Sequence, residues 1–171
     1  MPEIKVSPLA FIFVGILLVD GTIYALITFA AAAVHELGHL AAAALTRAPI
    51  SRISLWPLGA VITLGEPCPY RTDIAVKLAG GAANLAAAGA CAMMRSALNL
   101  SGPADVAAVY FIICCIALAV FNLLPIRTLD GGEALFSLLC IKFGPDTAGR
   151  VMRVVSLCAL LPLWLVSGWA M

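Results

Sequence analysis

The sequence predicts an all-α polytopic membrane protein with about four to five transmembrane helices. Of its 171 residues, 63% are hydrophobic and 11% are charged, and the mean hydropathy is +1.08. Soluble domains average about 45–50% apolar and about 25% charged residues. Because a soluble fold of this size could not hide so much apolar surface from water, we expect lipid around it. Residues 1–171 are expected to form a single domain.

Five apolar stretches follow one another along the chain, and about 20 residues are needed to span the hydrocarbon layer. The stretches are Pro8–Val19, Thr22–Leu45, Asp73–Leu98, Ala104–Leu124 and Thr147–Met171. The first is short for a full span, so the prediction of four or five crossings depends on it. Two interruptions rich in Pro and Gly, Thr46–Thr72 and Pro125–Gly132, separate the stretches. The second interruption predicts a broken helix at membrane depth.

The basic residues predict the orientation. With four crossings before Pro125, all but one of the ten basic residues lie on or near one face, and only Arg95 lies toward the other. The shared face holds Lys5, Arg47, Arg52, Arg71, Lys77, Arg127, Lys142, Arg150 and Arg153. By the positive-inside rule this face is cytoplasmic. We expect an integral protein of a bacterial cell membrane. So few scattered basic residues exclude nucleic acid as a partner.

A β-hairpin is predicted between Ile50 and Leu64. Two runs rich in β-branched residues flank a turn that includes Trp56, Pro57 and Gly59. An open strand edge cannot face lipid because its amides would lack partners. If the hairpin enters the membrane, it must lie against protein or take a partner strand. An interfacial loop is the alternative.

The second apolar stretch contains the pattern H-E-x-x-H, from His35 to His39. In a helix, residues i and i+4 lie above one another on one face, so two imidazoles can reach one Zn²⁺. Glu36 lies beside them and could accept a proton without ligating the metal. Ionisable groups within a membrane helix are costly and usually functional. The alternative is two histidines hydrogen-bonded between helices.

A hydrolytic zinc site needs a third protein ligand, and Asp130 is the strongest candidate. It follows directly on a predicted transmembrane stretch, where Pro125 interrupts the helix and Gly131 and Gly132 permit a close turn. Irregular backbone at this depth is tolerated only where it lines a cavity. Against this interpretation, Asp-Gly-Gly is also a common turn.

Two motifs together resemble those of the site-2 protease family of intramembrane zinc metalloproteases (peptidase M50). They are H-E-L-G-H and, about ninety residues later, N-L-L-P-I-R-T-L-D-G-G. The stretches L-W-P-L-G-A and G-G-A-A-N are similar to two further family segments. The resemblance covers nearly the whole chain and is strongest to the short branch that contains a sporulation protease.

The resemblance implies particular roles for residues of this chain. His35, His39 and Asp130 would ligate one Zn²⁺, and Glu36 would be the general base. Asn84 and Asn122 would hold the substrate backbone or the developing oxyanion. Two departures stand out: the chain lacks the proline of the family's G-P-x-x-N segment, and Glu133 replaces the basic residue that often follows L-D-G-G.

The predicted function is regulated intramembrane proteolysis of a transmembrane or membrane-associated protein, by zinc-activated water. Trp56, Pro57 and Gly59 are candidates for binding an unwound substrate strand. No regulatory domain is recognisable, so control would come from another membrane protein. The alternatives are a metal-binding or transport protein and a catalytically inactive membrane scaffold. The sequence leaves the oligomeric state open.

Overall fold

The structure is a computed structural model that describes residues 3–6, 23–56, 59–65 and 68–169. In chain order the elements are β1 (Glu3–Val6), α1 (Ile23–Leu45), β2 (Ile50–Trp56), β3 (Gly59–Leu64), α2 (Tyr70–Ala97), α3 (Gly102–Asn122), α4 (Asp130–Phe143) and α5 (Pro145–Trp169). The predicted helical membrane fold is confirmed. The first predicted stretch, Pro8–Val19, lies outside the described residues.

Three of the described helices, α1, α2 and α3, are long and apolar enough to cross a membrane. Their bounds agree with the predicted stretches to within a few residues. The predicted break also exists, because α3 ends at Asn122 and the next helix begins at Asp130. Helix α4 has only 14 residues, which is short for a full span.

The predicted hairpin is confirmed as β2 and β3, which pair antiparallel from Ile50 with Leu64 to Trp56 with Gly59. Residue Pro57 in its turn lies outside the described residues. A further strand was not predicted: β1 pairs parallel with β2, with Glu3 opposite Arg52. The strand order is therefore β1-β2-β3, with β2 in the middle of the described sheet. Strand β3 also contacts α1.

Small side chains form the contact between the three long helices. Ala31 of α1, Ala88 of α2 and Cys115 of α3 are buried together. Large apolar side chains point outward, as expected where the solvent is lipid. More than half exposed are Leu26, Phe29, Leu37, Met93, Ile113, Val120 and Phe121. The core is thus built by close backbone approach, with the bulky side chains left for the surrounding hydrocarbon.

The end of the bundle remote from the break is closed by an ion pair. Arg95, in the last turn of α2, binds the carboxylate of Asp105 at the start of α3, with one Nη2 to Oδ2 contact at 3.1 Å. Between these helices Asn99 adopts a positive φ of 48°, which Asn tolerates better than most residues. The connection is therefore tight, and Arg95 lies at the opposite end from the other basic residues of the described helices.

Replacing Ala31 with Leu should lower the free energy of unfolding by about 1–3 kcal/mol, because the added carbons overpack a contact between three helices. Unfolding of the detergent-purified protein would measure this. The exposed neighbour Ala30 provides the matched control, since Ala30→Leu adds the same atoms toward lipid. Equal stability of the two variants would show that the three helices do not meet at Ala31.

Candidate metal centre

The two histidines of the motif lie on one buried face of α1. His35 is 5% exposed and His39 is 6% exposed, and their Nε2 atoms are 3.1 Å apart. The helical spacing of four residues places one ring above the other along the helix axis, and the two rings meet edge to face. As expected, the two imidazoles lie together on one face of α1.

Asp130, the first residue of α4, completes the group. Its Oδ2 atom lies 3.1 Å from Nε2 of His35 and 3.1 Å from Nε2 of His39. The break between α3 and α4 therefore places a carboxylate beside the histidine pair, although Asp130 lies about ninety residues farther along the chain. The three predicted ligands come together into a group that could hold a metal ion.

The geometry of the group suits zinc. Ligand atoms around a tetrahedral Zn²⁺ at about 2.0–2.1 Å stand roughly 3.3 Å from one another. The three separations of 3.1 Å are close to that value. Two imidazole nitrogens and one carboxylate oxygen are also ligands that zinc accepts, leaving a fourth position open. The residues present fit the ion.

Helix α2 fixes both imidazoles from behind. Nδ1 of His39 lies 2.7 Å from the carbonyl oxygen of Val76. A carbonyl can only accept, so Nδ1 carries the proton and donates it. The proton on Nδ1 leaves the Nε2 lone pair of neutral His39 pointing at the centre of the group. Such a contact on the far ring nitrogen is typical of metal-binding histidines.

Asn84 plays the corresponding part beside His35. Its amide is fully buried, and Nδ2 lies 3.3 Å from Nδ1 of His35. Oδ1 of Asn84 is buried without a hydrogen-bond partner among the described residues. A half-turn of the amide would let this oxygen accept a hydrogen bond from the Nδ1–H of His35, which would give both atoms a partner. Nε2 of His35 would then also present its lone pair to the centre.

Gly80 allows α2 to come this close. A Cβ atom at position 80 would overlap Nε2 of His39 and would lie 2.8 Å from Nε2 of His35. Any side chain there would therefore enter the space between the two imidazoles. On the other side of the group, a Cβ atom at Gly132 would overlap the backbone of Ile126. Glycine at these positions is required by close approach.

The electrostatics of the group favour an ionised Asp130. The positive charge of Lys77 lies close enough to interact favourably with the carboxylate of Asp130. The carboxylate is also at the N-terminus of α4, where the helix dipole stabilises negative charge. Asp130 is thus held in the anionic form that ligates a cation.

Glu36 is half-buried on α1, one residue after His35. Its carboxylate is close enough to His39 to interact with it electrostatically. One residue corresponds to about 100° around a helix, so Glu36 flanks the histidine face without sharing it. This position suits a group that exchanges protons with a water at the centre.

The predicted substrate-binding residues lie in different places. Asn84 is packed behind His35, and Asn122, at the end of α3, donates from Nδ2 to the carbonyl of Leu118 at 3.0 Å. Trp56 and Gly59 pair across the end of the hairpin. Pro57 lies outside the described residues. Substrate binding by these five residues stays a prediction.

A polar stripe on α2 was not predicted from the sequence. Asp73, Lys77, Gly80 and Asn84 follow one another at intervals of three or four residues and so share one helix face. The spacing was a readable signal. Only the structure shows that this stripe faces α1 at Gly80 and Asn84 and α4 at Asp73 and Lys77.

Comparisons with known proteins support the resemblance. No protein-family model matches the chain. It is 29% identical over 175 residues to Stage IV sporulation protein FB of Bacillus subtilis, covering 96% of this chain and 58% of that protein. It is 31% identical over 131 residues to a Synechocystis protein, sll0528, named provisionally as a zinc metalloprotease, covering 75% of this chain and 34% of that protein. The chain thus spans less than two thirds of either relative.

The fold also matches a solved structure. The site-2 protease from Methanocaldococcus jannaschii superposes with a TM-score of 0.63 at 20% identity, over 96% of this chain and 81% of that one. At this identity the superposition shows a shared fold. Together, the two sequence relatives, the shared fold and the two motifs support the site-2 protease family of intramembrane zinc metalloproteases for this chain.

Proposed function

We propose that the chain is a zinc metalloendopeptidase that cleaves a transmembrane or membrane-associated protein. The observation that carries this proposal is the convergence on one point of three atoms that can ligate a metal ion. Nε2 of neutral His39 has a lone pair there, Asp130 contributes a carboxylate oxygen, and Nε2 of His35 lies 3.1 Å from both. With the Asn84 amide turned so that Nε2 of His35 also presents its lone pair, three electron-rich atoms face one another, and a cation between them would remove their repulsion.

The cation is proposed to be one Zn²⁺ per chain, held by His35, His39 and Asp130. When bound, it would lower the pKa of a coordinated water and polarise the scissile carbonyl group. The H-E-x-x-H spacing favours zinc over iron, which also accepts two histidines and a carboxylate. The family and the name of the Synechocystis relative support the same ion.

Glu36 is proposed to move the proton. As the general base, its carboxylate would accept a proton from the attacking water. It would then donate that proton to the amine that leaves when the peptide bond breaks. Its half-buried position beside His39 supports this role, since the proton does not have to leave the site.

Asn84 and Asn122 are proposed to have different roles. Because the Asn84 amide is buried against His35, we assign it first to holding that imidazole in the ligating orientation. Asn122 is half-buried at the break, and its side chain bonds only to its own helix among the described contacts. The less buried Asn122 is the better candidate for binding the substrate backbone or the oxyanion.

The substrate is proposed to bind as an extended strand. A transmembrane helix shields its own amides, so it must unwind locally before hydrolysis. Pairing with a free sheet edge would replace the lost hydrogen bonds. Strand β2 already has neighbours on both sides, whereas β3 pairs only with β2 among the described strands and contacts the helix that carries Glu36. We therefore assign substrate pairing to β3, with Trp56, Pro57 and Gly59 shaping its start.

The clustering of basic residues supports a cytoplasmic orientation of the break and the hairpin. The proposed location is the bacterial cell membrane, with the site opening to the cytoplasm. Regulation by another membrane protein stays a prediction.

Glu36→Gln should lower cleavage by about 10²- to 10⁴-fold, because the general base is lost while the zinc ligands remain. Asp130→Ala should lose both the metal and the activity. The protein would be reconstituted in liposomes with a mixture of single-span membrane proteins, and mass spectrometry would detect new chain termini. Elemental analysis would count zinc and iron in each variant.

These two variants separate the alternatives. Zinc in the wild type, zinc in Glu36→Gln and cleavage by the wild type alone would support the protease. Cleavage by Glu36→Gln at the wild-type rate would exclude the assigned base. A wild type that binds zinc but produces no new termini would favour a metal-binding protein or scaffold.

Gly80→Ala should lose most of its zinc, because the added methyl group enters the space between the two imidazoles. Gly89→Ala, on the same helix, has nothing within 4 Å of the added carbon and is the matched control. Elemental analysis of both variants would measure the difference. Full zinc occupancy in Gly80→Ala would contradict the close approach of α2.

Converting Trp56-Pro57 to Gly-Ser should reduce cleavage while leaving bound zinc intact, because the hairpin is proposed to hold substrate and does not ligate the metal. The ratio of cleavage rate to zinc content would be compared with that of the wild type. An unchanged ratio would remove the hairpin from the substrate-binding site.

A further inference from the structure

We infer that Lys77 and Glu133 form a positioning pair that holds Asp130 in place for the metal. Neither residue was predicted to have a role. Nζ of Lys77 on α2 lies 2.5 Å from Oε2 of Glu133 on α4. Glu133 is three residues after Asp130, so the pair anchors the same helical turn that begins with the proposed ligand. This inference rests on the proposed function in that it takes Asp130 as a metal ligand.

The pair is the middle rung of a polar ladder between α2 and α4. At one end, Gly80 and Asn84 of α2 contact the histidines that bind Asp130. At the other end, Ser137 of α4 donates from Oγ to Oδ2 of Asp73 at 2.6 Å. The numbers rise on α2 as they fall on α4, so the helices run antiparallel.

The surroundings strengthen the pair. The Lys77 side chain is only 15% exposed, so water screens its charge weakly. On its other side, Glu133 faces Arg127, whose Nη1 lies 3.8 Å from Oε1. The Arg127 guanidinium lies over the Phe136 ring of α4, 3.9 Å from its centroid. The backbone N–H of Arg127 donates to Oγ of Ser156 on α5. Glu133 is therefore held between two cations.

The position of Asp130 needs such an anchor. It stands at the start of a helix that follows an irregular loop, and helix ends fray readily. A shift of 1 Å would spoil the 3.1 Å contacts to both histidines. The ion pair ties this turn to α2, the helix that also orients both imidazoles.

Lys77→Met and Glu133→Gln should each weaken zinc binding about tenfold, in the range seen when groups behind metal ligands are removed. The full chain would be purified in detergent and zinc retention followed against a chelator series. The double variant should be no weaker than either single one, since both remove the same contact. Lys77→Arg should retain zinc as the wild type does.

Arg95→Met is the matched control, because it removes a cation paired with a carboxylate at the other end of the same helix. Its zinc affinity should not change. Hydrogen exchange of the metal-free protein gives a second readout that needs no zinc. Amides at the start of α4 should exchange faster in Lys77→Met and Glu133→Gln, but not in Arg95→Met.

The outcomes distinguish this inference from the proposed function. If the wild type binds no zinc, the proposed metal site is contradicted. The anchoring role would still be supported if amides at the start of α4 exchange slowly in the wild type and faster in either variant. Wild-type zinc affinity and exchange in both single variants would overturn the inference. So would additive losses in the double variant, since Lys77 and Glu133 would then act separately.

Discussion

The carbonyl of Val76 decides the chemistry of the whole centre. Because it can only accept, it holds the His39 proton on Nδ1 and turns the Nε2 lone pair toward His35 and Asp130. Inside an apolar protein such a lone pair needs a partner, since unpaired polar groups are costly to bury. The centre is therefore complementary to a cation before any substrate binds. This hydrogen bond can form only where α2 lies close to α1.

The close approach of the helix backbones also explains why the core residues are small. Lipid offers little driving force for burying large apolar side chains, so helices associate where small residues let backbones meet. Ala31, Ala88 and Cys115 provide that contact in the middle of the bundle. Gly80 provides it at the histidines, where even a methyl group would intrude. The same small residues that stabilise the bundle thus determine whether the centre can form.

Local patterns were readable from the sequence, and long-range contacts were not. The four-residue spacing of His35 and His39 predicted a shared face, and the alternating runs after Ile50 predicted the hairpin. Strand β1 was missed because four residues carry too weak an alternation, and its partner lies about fifty positions away. The ladder between α2 and α4 was missed for a related reason. Charges on separate helices reveal a contact only when the crossing of those helices is known.

The replacement of a basic residue by Glu133 shows how this limit acts. In the sequence it was a departure from the family pattern and put helix packing in question. In the structure, Lys77 supplies the cation from α2 and Arg127 supplies a second one from the preceding loop. These two cations lie 56 and 6 positions away in the chain. Glu133 thus has cationic partners although it stands where a basic residue was expected, and Asp130 lies beside the two histidines in the same helical turn.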